Sequence, residues 1–196
     1  TYDLLWAPTI GTYLRGERVG VNDLMSWNAD GTRMAYRMHT DYLHQLYLNN
    51  DLAEGRYVAN GEQLSLSDVT VPMFVVGTET DHVAPWRSVY KVGKLVRSAD
   101  YTFCLTSGGH NAGIISGPQH PKRRHRVHTS KSGARLLTPE RYLEKVEPTP
   151  GSWWPTWAKW LEERSSARKV APPAMGAPKQ GLKPLCAAPG EYVRMK

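Results

Sequence analysis

Cysteine is scarce, with two residues in 196, so a disulfide framework is excluded as the basis of the fold. Cys104 falls inside a strand-like run and Cys186 in a polar tail, which fits a reducing cytoplasm. No apolar run approaches the roughly 20 residues needed to cross a bilayer, so a transmembrane segment is not expected. The first residues, Thr1-Tyr2-Asp3-Leu4-Leu5-Trp6, lack the charged-then-apolar order of a signal peptide. They open in mid-pattern and read as a break in a longer chain. Phenylalanine is rare at 2 residues, against 7 Trp and 10 Tyr, so the aromatic surface is amphipathic and suits a cleft or an interface. Acid is absent from 118–135, where Lys122, Arg123, Arg124, Arg126, Lys131 and Arg135 carry most of the net charge of +7. A G-x-S-x-G or G-x-C-x-G motif is also missing.

What is present is a compact α/β signature at 71–110. An apolar run, VPMFVV, leads through Gly77 to Asp81-His82. Pro85 then suits a first helical turn, and Trp86, Val89, Tyr90, Gly93 and Val96 follow the spacing of a helix face packed on a sheet. Tyr101 to Thr106 is a second strand, ended by Ser107-Gly108-Gly109 before His110. Strand, helix, strand implies a crossover and a parallel pair. The two strand-end loops, where an open α/β sheet places its active site, then carry Asp81 and His110.

Around this unit the chain is less regular. Residues 1–30 read as turns and short helical pieces ending at Asn28-Ala29-Asp30-Gly31. Met34, Met38, Tyr42 and Leu46 predict a helix over 33–48 whose apolar stripe packs as core or lid contact. Asn60-Gly61, with alternating Leu64 and Leu66, predicts a hairpin-like excursion. The basic segment 118–135 reads as a solvated loop. A short helix is expected near 139–146, and Ser152 can cap a last helix with Trp153, Trp154, Trp157 and Trp160 on one broad face. From Ser165 onward an extended tail is expected, with Tyr192-Val193 as an anchor.

An acid and a histidine on neighbouring strand ends can form an orienting pair: the acid fixes the imidazole tautomer while the histidine takes a proton from a nucleophile. Read singly, an Asp after a strand is often a turn cap, and a His after a glycine turn is often structural. Asp81 is preferred to Asp100, which precedes its strand, and to Glu79, the nearer rival. His82 reads as a partly buried histidine bonded to backbone. His120, His125 and His128 have no local carboxylate or cysteine, and surrounding cations oppose a divalent ion, so no metal site is expected. The basic segment contains no aromatic residue to stack a base, so no nucleic-acid partner is expected.

Several longer motifs are more specific together than any one alone: SWNADGTRM at 26–34, YLNNDLAEGRY at 47–57, VGTETDHVAPWRSVYK at 76–91, LTSGGHNAGI at 105–114, GSWWPTWAKWL at 151–161 and APGEYVR at 188–194. Through them the chain resembles the C-terminal third of the poly(3-hydroxyalkanoate) synthases, nearest the single-subunit type that prefers short 3-hydroxyacyl-CoA substrates. Ala35 stands where relatives often have proline.

The resemblance implies the C-terminal portion of an α/β-hydrolase fold. Residues 1–60 would be part of a lid, 61–165 the second half of a mostly parallel catalytic domain, and 166–196 a tail near the natural C-terminus. It implies a Cys-Asp-His triad with Asp81 as the acid, His110 as the base and the cysteine upstream. His110 would deprotonate that cysteine. Asp81 would orient His110, or activate the 3-hydroxyl that extends the chain. The substrate would be a 3-hydroxyacyl-CoA, with no separate cofactor; the complete enzyme would be a cytoplasmic homodimer at the surface of polyester granules. This stretch alone would be inactive and marginally stable, its sheet reduced to two late strands. An esterase of the same fold, with a serine elbow upstream, and a basic granule- or nucleic-acid-binding module are the other readings.

Overall fold

Alternation in Asp100–Thr106 sets the architecture. In this strand, β4, Tyr101, Phe103 and Leu105 point to one face, and Thr102, Cys104 and Thr106 to the other. All six are buried, which requires cover on both faces. The computed structural model describes residues 6–17, 31, 33–166, 168–188, 190 and 191. The turn expected at 28–30, and the anchor at Tyr192-Val193, lie outside the described residues.

Contacts divide the chain into two compact units, Thr1–His39 with Ala171–Lys196, and Thr40–Val170. The first contains helix α1 (Ala7–Arg15) and, in its later part, a short turn at Pro178–Gln180 closed by an Ala177–Leu182 bridge. Helix α2 (Tyr36–Tyr42) is followed by a π-helical stretch, Leu43–Leu48. The stripe expected there to pack as core or lid contact is largely exposed, with Met38 at 63% and Tyr47 at 69%. Those side chains find little cover among the described residues.

The second unit holds the rest. A hairpin of β1 (Tyr57–Ala59) and β2 (Glu62–Leu64) turns at Asn60-Gly61. Both turn residues have positive φ, 52° and 82°, as a two-residue turn between twisted strands requires. Then come β3 (Met73–Thr78), helix α3 (Trp86–Val89) continued by a 3₁₀ turn to Lys94, and β4. After β4 follow β5 (Arg124–Lys131), helix α4 (Pro139–Lys145), β6 (Thr149–Pro150) and helix α5 (Trp154–Glu162).

The sheet order is β3-β4-β5-β6, with β3 parallel to β4 and the other two pairs antiparallel. The expected parallel pair is therefore present, inside a mixed four-stranded sheet. The segment read as a solvated basic loop is corrected here. Eight of its residues form β5, registered against the whole of β4 from Thr106–His125 to Asp100–Lys131. Its cations are absorbed locally: the Arg126 guanidinium donates to the Leu143 and Val146 carbonyls at the end of α4, and Lys131 meets Asp100 at 3.0 Å.

One face of the sheet carries the core, formed by Tyr90, Tyr101, Phe103, Leu105, Tyr142 and Val146. Tyr90 meets Phe103 edge to face at 4.7 Å, and Tyr142 meets Phe103 at 5.5 Å. Burial of each such ring contributes about 1.5–3 kcal/mol. On the other face Phe74 stacks on Trp153 at 6.2 Å and meets Trp160 edge-on at 5.6 Å. Ser152 does accept from the Trp154 N–H, at 3.1 Å. The four tryptophans do not share one face, however. Trp153 is buried, whereas Trp154 and Trp157 are 37% and 41% exposed. The indoles of Trp153 and Trp154 donate to the Gly113 and Ile114 carbonyls at 3.3 and 2.9 Å.

Candidate active site

β3 and β4 end side by side, and backbone bonds hold their exit loops together. Glu79 N–H donates to the Thr106 carbonyl at 2.9 Å and Thr80 N–H to that of Gly108 at 3.1 Å. The first loop then turns around its own acid. Asp81 Oδ1 accepts from the N–H groups of Val83 and Ala84 at 2.9 and 2.8 Å, and Oδ2 accepts from the Thr78 hydroxyl at 3.3 Å. The second loop turns at Gly108, whose φ of +111° disfavours any side chain.

These turns bring the two predicted residues together. His110 Nδ1 lies 2.9 Å from Asp81 Oδ2 and 3.1 Å from Oδ1. The Asp81 side chain is covered, at 7% exposure, while His110 is 45% exposed. The Ala84 N–H, more than any other group, holds the Asp81 carboxyl down at about 2, against a usual 3.8; the His110 and Val83 bonds add to this and partial desolvation opposes it. The acid is thus charged throughout the range in which an imidazole exchanges protons. It takes the Nδ1 proton as its hydrogen-bond partner, which leaves Nε2 as the acceptor; Nε2 has no bond among the described residues.

The rival residues are engaged elsewhere. Glu79 pairs with Arg124 at 2.7 Å, and Asp100 with Lys131 and Arg164 at the opposite end of β4. His82 is exposed, not partly buried as expected, because the Asp81 turn uses backbone donors and points it outward. His125 is buried with both ring nitrogens bonded, to the Gly151 carbonyl and the Thr156 hydroxyl at 3.0 Å each. No cluster of metal-ligating side chains occurs among the described residues. Cys104 is buried in β4, and burial pushes its thiol up to about 12, so it is no nucleophile.

Two residues that sequence reading left in the charge run also touch these loops. Arg123 Nη2 donates to the Ala112 carbonyl at 2.8 Å and Nη1 to that of Ser107 at 3.4 Å. Arg124 holds Glu79, and its backbone exchanges bonds with Ser107. Nothing in the sequence distinguishes them from the other cations of that run.

An acid-oriented imidazole on adjacent strand ends is an arrangement able to serve as the base of a nucleophilic site. The chain is 40% identical over 99% of its length to a poly(3-hydroxyalkanoate) polymerase of Methylorubrum extorquens. By sequence the chain is a relative of the poly(3-hydroxyalkanoate) polymerases. It is 36% identical over 97% of its length to the polymerase subunit PhaC of Rhizobium etli, and 33% over 99% to that of Cupriavidus necator. The chain spans about a third of the length of these relatives. No family model matches it. The mixed α/β sheet agrees with the polymerase relationship, and no helix among the described residues is long and apolar enough to cross a membrane.

Proposed function

We propose that these residues supply the acid and base of a poly(3-hydroxyalkanoate) polymerase, an acyltransferase that joins 3-hydroxyacyl groups from CoA thioesters into polyester. The carrying observation is the 2.9 Å contact of Asp81 with His110 at two adjacent strand ends, in a chain similar to polymerases over 99% of its length. The nucleophile, a cysteine in a G-x-C-x-G turn, comes from a part of the enzyme outside these 196 residues; this sequence has no such turn.

In this reading His110 Nε2 takes the cysteine proton, and the thiolate attacks the thioester carbonyl. The bond from carbonyl carbon to CoA sulfur breaks, and the imidazolium returns the proton to the departing CoA thiolate. A 3-hydroxyl then attacks the enzyme thioester and gives up its proton to His110 or to Asp81, forming the ester and freeing the cysteine. Asp81 keeps the Nδ1–H aligned and stabilises the transient cation. The chemistry needs no cofactor beyond the CoA thioester itself. Residues 1–60 contribute to a lid. The complete enzyme acts as a cytoplasmic homodimer at the granule surface and prefers short side chains.

The test is His110→Gln in the complete enzyme, with CoA release from 3-hydroxybutyryl-CoA as readout. A loss of about a thousandfold or more is expected; near-normal turnover would refute the assignment.

A further inference from the structure

The proposed chemistry uses only the ends of β3 and β4, yet both loops are fastened to a third element. Residues 123 and 124 enter β5, and their side chains part. Arg124 Nη2 reaches Glu79 Oε2 at 2.7 Å, two residues before Asp81. Arg123 goes under the other loop, where one guanidinium spans its two sides. It donates to the Ser107 carbonyl three residues before His110 and to the Ala112 carbonyl two residues after.

We infer that Arg123 is a positioning residue, which sets the height and tilt of His110 over Asp81 by bridging the base of its loop. Three observations separate this from ordinary loop packing. First, Arg123 makes no ion pair among the described residues, and its Nε is buried without a partner. A cation costs free energy in such a place unless its bonds to the loop repay it. Second, the loop is shaped around the guanidinium: a Cβ on Gly108 would stand 2.6 Å from Arg123 Nη1, and Gly108 also has a φ of +111°. Third, the fork is planar and donates from two nitrogens at once, so it fixes a spacing that the point charge of a lysine cannot.

This inference rests on His110 being the base, and the experiment separates the two. In the complete enzyme Arg123→Lys keeps the charge and removes the fork. Expected are a fall in kcat of about 10- to 100-fold, the range set by misplacing a catalytic group by about an ångström, and a KM and thermal midpoint close to wild type. Should Arg123→Lys fail to fold, Arg123→Gln also removes the fork while keeping a planar donor, with the same expected split. Wild-type kcat in either folded variant overturns the inference. So does a loss that vanishes well below the variant's thermal midpoint, since Arg123 would then only stabilise the loop. If His110→Gln is itself active, the proposed function fails first; if only His110→Gln is impaired, positioning by Arg123 fails alone.

Discussion

Asp81 and His110, 29 positions apart, meet with both carboxylate oxygens within 3.1 Å of one ring nitrogen. The acid is held by the Val83 and Ala84 backbone and by Thr78, so its orientation does not depend on the histidine it serves. Loss of His110 should leave Asp81 close to its present place.

Replacement of Asp81 by Asn tests the reverse dependence, that of the histidine on its acid. The amide can still accept from Val83 and Ala84 but offers His110 a weaker and ambiguous partner. Turnover of the complete enzyme should fall by about a hundredfold to ten-thousandfold, with the fold retained by circular dichroism. A fall below tenfold would show that Asp81 does not orient the base.

The depressed Asp81 carboxyl has a sign in pH. Its folded value, about 2, lies below the ordinary 3.8. The ionised form therefore contributes stability that is complete above about pH 4 and is lost as pH falls toward 2. Urea midpoints of wild type and Asp81→Asn should differ at neutral pH and converge between about pH 4 and 2. A constant gap across that window would contradict the native bonds to this carboxylate.

Thiol accessibility divides the two cysteines. Cys186 is exposed and Cys104 is buried with its thiol pushed up to about 12. Iodoacetamide at neutral pH should label Cys186 in the folded protein, and Cys104 only after denaturation, as peptide mass mapping would read. Rapid native labelling of Cys104 would mean that β4 opens readily.

The Tyr142 hydroxyl lies 3.2 Å from the Phe103 carbonyl and 2.8 Å from that of Arg126, joining α4 to two strands in a ring with no exposure. Tyr142→Phe should cost about 1–3 kcal/mol in equilibrium unfolding with little cavity. Tyr142→Ala should cost more, about 3–5 kcal/mol.

The parts legible in the sequence were those whose pattern reflects burial on both sides. Tyr101 to Thr106 had to be a covered strand, Met73 to Val76 within VPMFVV had to be the half-buried strand beside it, and the glycine turn before His110 had to change direction. β5 was not legible because only Val127 among its eight residues is an aliphatic apolar residue. Its inward needs are met by hydrogen bonds, as at His125 with Thr156 and at Arg126 with the end of α4. Charge density on a strand resembles a solvated loop until its partners are known. Arg123 was hidden for the same reason: a guanidinium that binds carbonyls leaves no acid in the sequence to announce it. The Asp81–His110 pair could be anticipated, since each residue needs only to follow its strand.

The indoles of Trp153 and Trp154, tied to the Gly113 and Ile114 carbonyls, give the histidine loop an optical reporter. Their near-ultraviolet dichroism depends on a fixed, asymmetric setting, so the state of a loop that begins only a few residues away can be followed without substrate, label or turnover. A variant that slackens the loop would dim this signal while the far-ultraviolet spectrum of the strands stayed unchanged.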